Sequence, residues 1–267
     1  MKNLLIVIGF WITIGSNFFS HAGEGETAPF GGSIRGSLGE NTPAGCFQSS
    51  KRSNTASSAG TRLRHPQEQS FFRAFRELHP DIPLVCVCGN HDVGDNPTQE
   101  SIQTYKSKFG DDYFTFYCGG VKFIVINSQF YKASEQVQDL AAEHDRWLDE
   151  QLEEAKSGKY KHVVIFQHIP WFIRNPDEED LYFNINTEIR EKMLKKFYEA
   201  NVRAVFCGHW HGNAGGFYKD LEVVVTSAIG GQLRGDRSGL RVIKVLDSAI
   251  RHNYYALGDV PKEISLD

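Results

Sequence analysis

With 267 residues, 40% of them hydrophobic, and a net charge of −4, the chain can bury one sizeable core and leans to neither sign of charge. No Lys/Arg cluster marks a segment, which excludes a nucleic-acid groove and a polybasic membrane patch as partners. Five cysteines form no C-x-x-C pair. Cys86, Cys88 and Cys207 lie in or at the end of apolar runs, where a free thiol behaves as a small hydrophobe, and this usage implies a reducing, cytoplasmic compartment.

In chain order, residues 1–22 come first: Lys2, an apolar run from Leu4 to Gly15 and the small-residue stretch Ser20-His21-Ala22 have the layout of a signal peptide. The alternative location they imply is secretory. The run is too short to span a bilayer. Residues 23–65 are rich in Gly, Ser, Thr and Asn and show no apolar period, so they are expected to form a disordered tail.

A folded region is expected from Pro66. Phe71, Phe72, Phe75 and Leu78 fall on one helical face, and Pro83 then opens an expected strand, Leu84 to Cys88. "DYFTFYCGGVKFIVINSQ" reads as two strands around Gly119-Gly120. A helix is expected over about Leu140 to Ala155, with Leu140, Trp147, Leu148, Leu152 and Ala155 at core spacing. It is followed by a strand, His162 to Gln167, a helix, about Glu188 to Ala200, and a strand, Arg203 to Cys207. "GGFYKDLEVVVTSAIGG", "GLRVIKVL" and "AIRHNYYAL" close the chain as β segments. Alternating β and α followed by consecutive strands indicates an α/β core with two packed sheets.

Three of these strands end in residues with no place in a core: Asn90 and His91, His168, and His209 with His211. Ligands of open α/β sheets gather beyond the carboxyl ends of the strands, so these side chains should meet in one crevice. Taken singly, His168 reads rather as a core histidine bonded to backbone, and His209-Trp210-His211 as a turn. Two histidines at i and i+2 of an extended segment point to one side, which suits imidazoles gripping one metal or two adjacent ones. Imidazoles with a carboxamide oxygen suit Mn, Fe or Zn and not a site built wholly from oxygen. His91 is one residue out of phase with Asn90 and is better cast as proton donor to a leaving alkoxide.

Gly89-Asn90-His91-Asp92, His168 and Gly208-His209-Trp210-His211 resemble, in order, the G-N-H-[DE], central-His and G-H-x-H motifs of the calcineurin-like metallophosphoesterases. "NSQFY", "DRWLDEQL", "VVIFQHIP", "GHWHGNAGG" and "SAIGGQL" are similar to the domain-containing Ser/Thr protein phosphatases of that superfamily. The resemblance covers roughly Pro66 to Ala256. It implies a four-layer sandwich of two mixed β-sheets flanked by helices, with the domain over residues 66–260. It also implies metal ligation by Asn90, His168 and His209 at one ion and His211 at a second, with His91 as the general acid. The substrate so implied is a phosphorylated protein or small phosphomonoester, and the cofactors are divalent Mn, Fe or Zn.

The family's first two motifs, an Asp in D-x-[HQ] and the Gly-Asp whose carboxylate bridges the two metals, are not found before Asn90. Leu4 to Ile8 is placed to serve as the first strand, yet Phe10 and Trp11 stand where the aspartate belongs. The expectation is a domain that lacks its first strands, through splicing, truncation or gene-model error. Two dications about 4 Å apart repel by roughly 16 kcal/mol at an effective dielectric of 20, and four neutral ligands offset none of it. At most one weakly held ion is therefore expected, with little activity. The alternative function is a catalytically impaired isoform, or a non-catalytic phosphate- or protein-binding relative. "WFIRNPDEEDLYFNI" reads either as a lip bringing Trp171, Phe172 and Arg174 near substrate or as a solvated acidic loop. "SAIGGQLRGDRSGLR" either brings Gln232 and Arg234 toward phosphate or simply turns the chain.

Overall fold

The computed structural model describes residues 4–8, 66–79 and 81–266; the expected tail at 23–65 lies outside them, as does the apolar start apart from residues 4–8. The elements run β1 (Leu4–Ile8), α1 (Pro66–Ala74), α2 (Asn90–Val93), α3 (Gln99–Phe109), β2 (Phe114–Cys118), β3 (Val121–Val125), α4 (Gln129–Lys132) and α5 (Gln138–Ala155). There follow β4 (His162–Phe166), α6 (Thr187–Glu199), β5 (Val202–Cys207), β6 (Ala214–Tyr218), β7 (Leu221–Val225), β8 (Gly239–Val245) and β9 (Ile250–Ala256).

A six-stranded sheet has the order β2-β3-β4-β5-β7-β6, and a three-stranded sheet the order β1-β8-β9. Strands β3, β4, β5 and β7 are parallel, with antiparallel β2 and β6 at the edges. Continuous apolar runs are what parallel strands covered on both faces require. Alternate residues of β4 and β5 serve two cores. Val163, Ile165, Val205 and Cys207 pack with α5 and α6 residues Leu148, Leu152, Met193 and Phe197, while Val164, Phe166, Ala204 and Phe206 face Ile243 and Val245 of the other sheet. The fold is thus the expected metallophosphoesterase-like sandwich of two sheets with helical cover. Leu4–Ile8 pairs antiparallel with β8 along its whole length, from Leu4↔Val245 to Ile8↔Arg241. The expected first-strand segment is a strand at the edge of the smaller sheet.

Two local expectations differ from the structure. Leu84 to Cys88 has no regular secondary structure and belongs to no ladder among the described residues. Val85 and Val87 pack on the inter-sheet core and Cys88 is buried beside Val93 and Ile102. Apolar alternation secures burial, whereas a strand also needs a backbone partner at its edge. Helix α3 was not apparent in the sequence because its N-terminus uses serine where glutamate is usual. Thr98 Oγ1 accepts from the Ser101 amide at 3.1 Å and Ser101 Oγ from the Thr98 amide at 3.0 Å, a capping box without an acid. The β2–β3 turn follows expectation. Gly119 and Gly120 have φ of 60° and 83°, the left-handed pair of a two-residue hairpin. Among the described residues, no helix is long and apolar enough to cross a membrane.

Lys122, in the middle of β3, is fully buried. Its Nζ donates to Glu154 Oε2 at 2.6 Å and to the Gln151 carbonyl at 2.9 Å on α5. Hydrogen bonds from Lys122, then Lys159 and Tyr160, hold the Glu154 carboxyl down at about 2. A carboxyl depressed by folding stabilises the native state above its unfolded pKa and loses that contribution as pH falls through the folded value. The loss is therefore expected between about pH 4.5 and 2. Glu154→Gln should flatten this acid limb, and by leaving a buried ammonium with only the Gln151 carbonyl should cost about 1–2 kcal/mol at neutral pH, less than a fully buried pair because the carboxylate is 35% exposed. Thermal unfolding from pH 2 to 7 checks both effects; unchanged midpoints in the variant would show the pair to be inert.

Candidate metal centre

The site is assembled where parallel β4 and β5 end. Beyond Phe166 and Cys207 the two chains stay joined, Gln167 N donating to the Phe206 carbonyl at 3.1 Å and Gly208 N to the His168 carbonyl at 3.0 Å. His168 and His209 thereby face each other, each two residues past its strand. Asn90 enters from the first position of α2, next to Gly89, whose amide donates to Asp92 Oδ2 at 2.8 Å. A Cβ at position 89 would lie 2.8 Å from ring atoms of His168, so only glycine lets the chain pass so close to the imidazole.

Three donor atoms converge. His168 Nε2 is 2.9 Å from Asn90 Oδ1 and 3.1 Å from His209 Nδ1. All three residues are buried, at 5 to 8% exposure. Adjacent donors on an ion held at about 2.1 Å would stand about 3.0 Å apart in octahedral geometry, so the spacing fits a shared divalent ion. The donor set of two imidazoles and one amide oxygen suits Mn, Fe or Zn. Burial, then the neighbouring His209, His91 and His211, holds the His168 ring far below its usual pKa. Burial takes His209 down to about 4, partly opposed by the Tyr182 backbone carbonyl. Both rings are neutral at neutral pH, as ligation requires.

His211 does not touch this trio. Its Nδ1 donates to the Gly231 carbonyl at 2.6 Å, which leaves Nε2 as the free ring nitrogen, the tautomer in which a histidine serves a metal. Burial also lowers its pKa. His91 is exposed on α2, near enough for its charge to act on His168, His209 and His211. The expected reason for the pairing of His209 with His211 was an extended segment, and the structure corrects it. Both residues are left-handed, with φ of 64° and 56°, so a tight loop and not a pleat sets their directions. Among the described residues no group of three or more His, Cys, Asp or Glu is placed to hold a metal; the amide of Asn90 completes the donor set.

The neighbouring loops depart from the sequence reading. Trp171 and Phe172 are fully buried in the helix-side core and Arg174 is exposed; the site faces Tyr182 and Phe183 of the same loop instead. Their rings lie 5.1 and 5.6 Å from that of His209. Three successive apolar residues behind a strand end are a core signature, whereas Tyr182 has a polar tip able to reach a wet site. The carboxylate of Glu178 fastens this loop by accepting from the amides of Ile173 and Arg174 and from Asn184 Nδ2. Gln232 Nε2 donates to the Ala228 carbonyl and Ser238 Oγ within its own loop. The Arg234 guanidinium lies 3.8 Å from the Trp210 ring centroid and 5.2 Å from that of Phe183, a cation on an aromatic rim beside the histidines.

Asp95 and Tyr182 were also not singled out in the sequence. Asn90 Nδ2 donates to Asp95 Oδ1 at 2.9 Å and to Tyr182 Oη at 3.0 Å, and Tyr182 Oη donates to Asp95 Oδ1 at 3.0 Å. The only sequence signal was an acid five residues past Asn90 in a turn-rich "VGDNP".

Sequence comparison gives 48% identity over 204 residues with the serine/threonine-protein phosphatase CPPED1 of Bos taurus, covering 76% of this chain and 65% of that one. With the Homo sapiens CPPED1 it gives 45% over 205 residues, covering 76% and 65%. The match thus spans a little under two thirds of the length of these relatives. Among solved structures, "GAP50 the anchor in the inner membrane complex of Plasmodium" aligns with a TM-score of 0.50 at 12% identity, over 69% of this chain and 68% of that one, a likeness of fold alone. The sequence profile of the calcineurin-like phosphoesterases matches residues 54–213, more than half of the chain, and the chain belongs to that family.

Proposed function

We propose that the chain is a metal-dependent phosphomonoesterase of the Ser/Thr protein phosphatase kind, with its domain over residues 66–260, and that Asn90, His168 and His209 hold a divalent ion. The observation that carries this reading is the meeting of an amide oxygen and two neutral ring nitrogens within 2.9 and 3.1 Å at the ends of parallel strands. A bound divalent ion would supply Lewis-acid polarisation of the phosphoryl group and neutralise its charge. Water forms the new phosphorus–oxygen bond as the ester bond breaks, and the chain's own residues position and protonate. His91, exposed beside Asn90, donates a proton to the departing alkoxide oxygen. His211 offers its free Nε2 to a second ion. Arg234, over the Trp210 ring, offers a rim cation to an anionic phosphopeptide, while Tyr182 and Phe183 line one side of the site. Suitable substrates are phosphorylated proteins or small phosphomonoesters, and Mn, Fe and Zn are the fitting ions.

A second reading has one observation in its favour: the donor trio contains no carboxylate. A chain with neutral donors alone would hold one ion weakly and bind phosphate without turning it over. Elemental analysis of the purified protein, with turnover of an aryl phosphate under added manganese, decides between them. Manganese-dependent turnover supports the first reading. Phosphate binding with no turnover at saturating manganese supports the second, and no ion with no phosphate binding overturns both.

A further inference from the structure

A carboxamide is an ambiguous ligand, because its oxygen and nitrogen ends have nearly the same shape and opposite polarity. In the donor trio only the oxygen end is useful, so something must prevent Asn90 from turning over. Both hydrogens of its Nδ2 are engaged, one by Asp95 Oδ1 at 2.9 Å and one by Tyr182 Oη at 3.0 Å. Tyr182 Oη directs its own hydrogen to the same carboxylate oxygen at 3.0 Å, which closes a triangle. A turned amide would press its oxygen against the Asp95 carboxylate, lone pair against lone pair. It would also offer hydrogens to His168 Nε2 where an ion needs an oxygen.

Resting on the reading of Asn90, His168 and His209 as an ion seat, we propose that Asp95 and Tyr182 are positioning residues, which lock the Asn90 amide with its oxygen toward His168 and so couple the 177–184 loop to the metal centre. Asp95 touches the nitrogen end of the amide, so it acts through Asn90. Tyr182 has a second hold, its ring 5.1 Å from that of His209, so one residue of the loop reaches two of the three donors. The loop itself is anchored. Lys132 Nζ donates to the carbonyls of Leu181 and Asn184, both at 2.7 Å, on either side of Tyr182 and Phe183. A displacement of this loop would release the amide and loosen the His209 ring together. Partners of this kind, one bond removed from a ligand, typically carry 10–100-fold in metal affinity.

The test uses Asp95→Ala, Asp95→Asn and Tyr182→Phe in the full chain, with two readouts. Manganese affinity by calorimetry is expected to fall about 10–100-fold in Asp95→Ala and Tyr182→Phe. Asp95→Asn, which keeps the acceptor oxygen, should stay closer to the unmutated chain. The Tyr182→Phe result carries particular weight because that change removes a hydroxyl and no charge. The second readout is the imidazole 15N spectrum of metal-free protein. With the amide oxygen facing it, His168 Nε2 carries the ring hydrogen; a released amide should shift the hydrogen toward Nδ1 in Asp95→Ala and Tyr182→Phe. Unchanged affinities and unchanged His168 nitrogen shifts would overturn the proposal, as would an Asp95→Asn variant as impaired as Asp95→Ala, which would make charge and not orientation the cause. Should the unmutated chain bind no manganese, the ion-seat reading fails by itself, and the 15N shifts alone then decide whether the amide is locked.

Discussion

His168→Ala is expected to leave the chain folded and unable to retain a divalent ion, with manganese affinity more than about 100-fold below that of the unmutated chain, beyond what removal of a supporting residue costs. The magnitude follows from geometry. His168 Nε2 is the vertex from which both other donors are measured, 2.9 Å to Asn90 Oδ1 and 3.1 Å to His209 Nδ1. Losing it leaves two of the three donors. Asn90 also loses the group its oxygen faces, so the remaining pair is less well oriented. The stability cost should be modest, about 1–3 kcal/mol. Removing the ring leaves a cavity and takes a hydrogen-bond partner from buried Asn90 Oδ1 and His209 Nδ1. Calorimetric titration with manganese and thermal unfolding of the metal-free protein measure the two effects. Retention of an ion at undiminished affinity would place the metal elsewhere in the chain.

His91→Ala is expected to separate substrates by their leaving groups. A positioned general acid contributes about 100- to 10,000-fold when the departing oxygen is strongly basic. A serine alkoxide is such a group; a nitrophenolate leaves readily without a proton. Turnover of a phosphoserine peptide should therefore fall by at least about 100-fold, while turnover of an aryl phosphate falls far less. Because His91 is exposed on α2 and its side chain fills no core, folding and ion binding should be retained. The measurement is kcat/KM for both substrates in both proteins at a fixed manganese concentration. Equal losses on the two substrates would remove His91 from the proton-donor role and assign it to binding or charge.

The architecture was legible because its central strands carry the strongest signal a sheet can give. "VVIF" and "AVFC" are apolar at every position, which only burial on both faces explains, and the helical spacing of Leu148 and Leu152 is equally direct. The site was legible in kind for the same reason: Asn90, His168 and His209 interrupt such runs. What escaped was set by interactions distant in sequence. Tyr182 meets Asn90 across 92 positions, and nothing in "DLYFNI" announces that contact. The fate of Leu84 to Cys88 was hidden too, since ladder pairing depends on what lies alongside and not on the segment. The bridging carboxylate expected from the family remains a gap among the described residues. Asp95, the acid nearest to hand, is bonded to the nitrogen end of Asn90.

The left-handed backbone at His209 and His211, φ 64° and 56°, sets stability against the site. A residue with a Cβ pays roughly 1–2 kcal/mol in that region and glycine almost nothing. At His209 that strain is offset by the buried ring, packed on His168, Tyr182 and Phe183, so glycine there would trade backbone relief for a cavity. Half-buried His211 is the position where glycine would cost the fold less. His168, whose backbone lies outside that region, has no such strain to relieve.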